Sequence, residues 1–149
     1  MIKKSVNQLS IVGFMLLMIL LLVSATALFV THYGWSVNTL YIQYAGDAEQ
    51  FINPKTFIGV LKSFSPHILA MPLIFFILFH LGVTTRSFEK KNIKYIAMIG
   101  FSVTLGDIVI NFLIAYGLLF TYVKVLFLIA FELILIYMMS MVVLKIYHH

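Results

Sequence analysis

Four long apolar runs separated by short polar stretches organise this chain. The first, Ile11 to Val30, carries no charged residue and is long enough to cross ~30 Å of hydrocarbon at ~1.5 Å per residue. The second opens at Ser65-Pro66, a good cap followed by a first-turn proline, and closes near Gly82. Pro72 falls inside it and is expected to kink it. The third runs from about Tyr95 to Tyr116. Gly117 then offers a stop and Thr121 a new cap, and the fourth ends near Lys145.

The pattern predicts an all-α integral membrane protein, a four-transmembrane-helix up-down bundle in one domain. Its spans are about 9–31, 66–84, 95–116 and 121–145. The loop at about 32–64 is expected to lie outside the membrane, and that at about 85–94 on the cytoplasmic side. Within the outer loop, Asn53-Pro54 and the apolar residues Phe57, Ile58, Val60, Leu61 and Phe64 predict a short interfacial helix. Tyr33, Trp35, Tyr41 and Tyr44 suit an aromatic belt. Gly13, Ser24 and Thr31 give the first span a small-residue seam for close approach of a neighbour. Lys3, Lys4 and Ala25-Thr26-Ala27 also fit a secretory signal, but the apolar run continues past that site, and the segment reads as a true span.

Composition strengthens this picture. Of 149 residues, 62% are hydrophobic and 10% charged, too few charges to clothe a soluble domain. There is no cysteine, which excludes disulfides, thiolate metal sites and cysteine nucleophiles. The net charge of +5 is spread over loops, a pattern of membrane topology rather than nucleic-acid binding. Lys3, Lys4, Arg86, Lys90, Lys91, Lys94 and Lys145 fall on one side, and Lys55, Lys62 and Lys124 on the other. Both termini are therefore expected in the cytoplasm, in a cell membrane of the bacterial inner-membrane kind.

Two acids interrupt the apolar runs. Counted from a turn near Leu119, Asp107 lies twelve residues before and Glu132 thirteen after, which predicts matching depths near mid-membrane. A charged carboxylate there costs ~2.5–3.5 kcal/mol on insertion scales, so both should face the bundle interior. Thr104, Asp107 and Asn111 recur at helical spacing and form a polar stripe. The acids are candidates for a proton or cation path, or for a hydrogen-bonded pair that sets helix register.

The histidines are the other chemistry. His67 with His32 and Met71 makes a candidate nitrogen–sulfur set for copper, with Asp47 and Glu49 as possible oxygen donors. His67, His32 and His80 are candidate ligands for haem b. His67 and His80, thirteen residues apart, project about 140° from one another and do not share a helix face. His148 and His149 have the look of a tag remnant and carry no weight. In architecture alone, four spans with histidines on the second resemble small bacterial membrane subunits of cytochrome-b type. The paired histidines on facing helices usual in such cytochromes are missing.

No phosphate loop, dinucleotide fingerprint, zinc-protease helix or nucleophile elbow is present. Ser65 and His67 lack an orienting acid, which points away from an enzyme. The expected function is a small membrane accessory or anchor subunit, binding haem or a transition metal for electron transfer. The alternatives are a structural subunit of a larger complex and a proton or cation path. Its expected partners are the lipid bilayer and other membrane subunits or further copies of itself.

Overall fold

The computed structural model describes residues 2–34 and 36–147, with side chains from residue 9 onward. Trp35, His148, His149 and the side chains of Lys3 and Lys4 lie outside the described residues. The helices are α1 (Ile2–Tyr33), α2 (Val37–Ala45), α3 (Phe57–Thr84), α4 (Lys90–Ile110) and α5 (Leu118–Tyr147). A 3-10 turn, Ile114–Tyr116, joins α4 to α5. Four of these helices, all but α2, are long and apolar enough to cross a membrane, and no strand occurs among the described residues. The protein is an all-helical, multi-pass membrane bundle.

Local chemistry moves several boundaries from where the hydrophobic pattern puts them. Helix α3 starts at Phe57, where the Thr56 hydroxyl accepts from the Gly59 amide at 3.1 Å. It then runs unbroken through Pro66 and Pro72. Each proline forfeits one backbone hydrogen bond, but leaving the helix would strand whole turns of unpaired backbone in lipid. The apolar stretch expected to form a separate interfacial helix is therefore the opening of α3. The short helix of this loop is α2, which buries Leu40 and Tyr44 against Val60 and Ile114.

Helix α4 ends at Ile110, six residues before the expected Tyr116. The Asn111 side-chain amide donates to the Asp107 carbonyl, taking the acceptor that would carry the next helical turn. Phe112 and Leu113 then close tighter bonds to Val109 and Ile110, at 3.1 and 2.9 Å. Asp107 accordingly belongs to the last turn of α4.

Helices α3, α4 and α5 pack mutually, and rings seat in glycine notches where they meet. A Cβ on Gly100 would collide with the Phe75 ring and one on Gly106 with Phe127, while at the end of α3 one on Gly82 would collide with Phe88 of the loop that follows. Lipid supplies no hydrophobic force between helices, so such close fit carries much of the association. Met15 and Met18 of α1 reach a core that contains Met71, Phe75, Leu78, Leu135 and Met138. Along its length, however, α1 packs on α5 and α2 and barely touches α3. The expected seam on α1 is not a packing seam: a Cβ added at Gly13 would meet nothing from another element among the described residues within 4 Å, and Ser24 and Thr31 line a groove.

Candidate functional site

Asp107 meets Lys124, not Glu132. The Lys124 ammonium donates to both carboxylate oxygens at 2.7 Å, with the Asp107 side chain fully buried and that of Lys124 12% exposed. Stopping α4 at Ile110 raises Asp107 to the level of the second turn of α5. Glu132 lies eight residues further along α5, about 12 Å deeper at ~1.5 Å per residue. The expectation of matched depth fails for that reason. Lys124, assigned by sequence to the outer boundary, is a constituent of the buried site. The available signal was its position: a lone base in an apolar run, facing a helix that carries a lone acid.

The surroundings of the pair are polar and closed. Thr104 donates to the Gly100 carbonyl at 2.8 Å, Asn111 is 3% exposed, and the Phe64 ring centre lies 5.8 Å from the Lys124 nitrogen. The Thr121 hydroxyl, on the same helix as Lys124, is buried with no hydrogen-bond partner among the described residues. Tyr44 of α2 caps this end. Burial pushes its phenol above the ordinary value, helped by Tyr33, so it stays a neutral hydroxyl. Lys55 holds its nitrogen 4.3 Å from the Tyr44 ring centre and donates to Ser63 Oγ at 3.1 Å. Burial pushes the Lys55 ammonium below its usual value.

Glu132 accepts from Thr26 Oγ1 of α1 at 2.9 Å and lines a groove between α1, α3 and α5. His32 and His67 line the same groove, of about 480 Å³, together with Tyr33, Ser24 and an apolar wall that includes Leu28 and Leu128. His32 stands edge-on to Tyr33 at 4.7 Å, and His67 stacks on Phe64 at 6.2 Å. Phe64, on which His67 stacks, is the ring that faces Lys124, so one aromatic side chain stands between the groove and the ion pair. The expectation that His67 sits in the first turn of its helix is corrected, because α3 begins ten residues earlier.

Met71 does not join the histidines. It is 6% exposed inside the core, while His67 is exposed to the groove. Asp47 and Glu49 are on the α2–α3 loop, where Asp47 Oδ1 accepts from the Glu49 amide at 2.9 Å. Among the described residues, no group of three or more His, Asp or Glu side chains is placed to hold a metal ion. His80 lies apart from His67, in a second cavity of about 310 Å³ with Ser10, Phe14 and Phe76, and stacks on Phe76 at 6.1 Å.

Comparison with curated proteins and with solved structures returned no match. One family model does match, over residues 34–149: a transmembrane helical domain, Aq_1264_TM. The matched range begins directly after α1 and contains Asp107, Lys124, Glu132, His67 and His80, while His32 precedes it. With well over half its length matched, the chain belongs to the Aq_1264_TM family of transmembrane helical domains.

Proposed function

We propose that this protein is a membrane accessory or anchor subunit that seats an amphipathic redox cofactor, a haem, in the groove between α1, α3 and α5. The observation that carries this reading is the convergence of His32 and His67, from different helices, on one largely apolar groove. Imidazole nitrogen is the axial donor that haem iron takes, and an apolar wall suits the porphyrin face. His67 and His32 would hold the group, and haem when bound would supply one-electron chemistry. Copper is the poorer fit, because Met71 is turned into the core. A proton path through Asp107 and Glu132 is also the poorer fit, because Asp107 is bound to Lys124 and Glu132 lies about two turns deeper.

Expressed with ample iron and haem precursor, the purified protein is expected to show a Soret band that His67→Ala removes and His32→Ala weakens. A colourless preparation, or a band indifferent to both substitutions, overturns the haem reading.

The orientation belongs to the same proposal: both termini in the cytoplasm of a bacterial inner membrane, with α2 on the outer side. The pairing of Lys124 with Asp107 removes it from the outer charge count and leaves Lys55 and Lys62 against seven bases. The absence of cysteine makes the test direct. Glu49→Cys is expected to react with a membrane-impermeant maleimide in intact cells, and Lys91→Cys only after permeabilisation. The reverse pattern inverts the topology.

A further inference from the structure

Of the two acids within the spans, the fold supplies a counter-charge to one. Asp107 is fully buried and takes both of its ammonium bonds from Lys124. Glu132, midway along α5, has no base within ion-pair distance among the described residues, and its one hydrogen-bond partner there is Thr26 of α1. Even that partner is shared. Thr26 Oγ1 lies 2.9 Å from Glu132 Oε1 and 2.9 Å from the Leu22 carbonyl, and a hydroxyl has a single proton to divide between two acceptors. A carboxylate in apolar surroundings is costly unless a cation or several donors meet it.

The space around Glu132 is open to a ligand. Besides the histidine groove, it lines two further cavities, of about 230 and 490 Å³. These share Thr26, Val30 and Glu132, and so form one slot along the seam of α1 and α5. The slot follows α1 from Leu22 to Gly34, about 18 Å at ~1.5 Å per residue, and its walls are mainly aliphatic, from Ile136 at one end to Leu40 of α2 at the other. Val23, Thr26 and Val30 project from the face of α1 opposite Ala25, Leu28 and His32, so helix α1 separates the slot from the histidine groove.

We propose that this slot binds a single-chain amphiphilic amine, with its ammonium on Glu132 and its alkyl chain along the aliphatic walls. Charge complementarity selects the cation. The ligand brings the base that the fold gives to Asp107 but not to Glu132, and its N–H groups reach the carboxylate oxygen that Thr26 leaves without a donor. The shape selects one chain: the more enclosed part, about 230 Å³ beneath α2, has the volume of a single medium-length alkyl chain, not of a two-chain phospholipid. The proposal is independent of the haem reading, because Val30 lines the slot and not the groove.

The test uses the full chain in phosphatidylcholine nanodiscs, with tritiated decylamine as the probe and empty nanodiscs as background. Saturable one-to-one binding is expected. Glu132→Gln keeps an acceptor for Thr26 and is expected to keep the melting temperature while weakening binding at least tenfold. Val30→Phe fills the slot from the face of α1 away from the histidines, and is expected to weaken binding at least tenfold with any Soret band unchanged. Decanol, the same chain without the charge, is expected to compete at least tenfold less well than unlabelled decylamine. Should Glu132→Gln fail to fold, Val30→Phe and decanol decide the matter. Absence of saturable binding, binding unaltered by either substitution, decanol competing as well as the amine, or displacement of the probe by phosphatidylethanolamine added to the nanodiscs would each overturn the proposal.

Discussion

Lys124→Met is expected to destabilise the bundle by about 3–5 kcal/mol, the usual cost of removing one partner from a buried ion pair. The Asp107 carboxylate is fully buried and both its oxygens are served by the one ammonium, so deletion leaves a charge with no solvent to turn to. The double variant Asp107→Leu/Lys124→Met removes charge and partner together and is expected to recover most of the loss, because well-packed apolar replacements of buried pairs are often neutral or stabilising. Loss of helical circular dichroism on heating in mild detergent reads both. A single variant as stable as the parent would mean that the pair is solvated. Failure of the double variant to recover would mean that it holds more than its own two helices.

Gly100→Ala is expected to cost about 1–3 kcal/mol by overpacking, and Gly100→Leu to separate α3 from α4 altogether. The colliding ring belongs to Phe75, which is fully buried, stacked on Phe79 at 5.9 Å and met edge-on by Phe101 at 5.0 Å. It has nowhere to retreat. Gly13→Ala is the matched control: a helical glycine whose added Cβ would meet nothing from another element among the described residues within 4 Å, so alanine is expected to be neutral or mildly stabilising. Equal melting temperatures for Gly100→Ala and the parent would show that the notch is slack.

The spans were legible because a lipid-exposed helix must be uncharged for some twenty residues, a requirement that sequence displays directly. The acids were visible for the complementary reason, as isolated departures from that rule. What failed was register. Counting from Leu119 assumed that both helices run up to a tight turn, whereas the Asn111 side chain ends α4 early, and no hydrophobic pattern records a side chain competing for a backbone acceptor. Lys124 was misplaced because a base near a span end is ordinarily a boundary marker. The His67–Met71 pairing failed more narrowly. Four residues turn a helix by about 40°, enough for one side chain to face the groove and the other the core. That His32 and His67 share a groove depends on how α1 leans on α5, a tertiary fact with no local signature.

The early end of α4 has a mechanical consequence for the membrane around the protein. At 21 residues it is about 31 Å long, hardly more than the hydrocarbon, whereas α3 and α5, at 28 and 30 residues, overshoot it by about two to three turns. The bundle is thus tall on two sides and low on the third, and α2 fills the step above the short helix. A thicker bilayer must either tilt the tall helices upright or climb over that step, and a thinner one drops the water boundary toward Asp107 and Lys124. Bilayer thickness thereby becomes a dial on how wet the buried charges are.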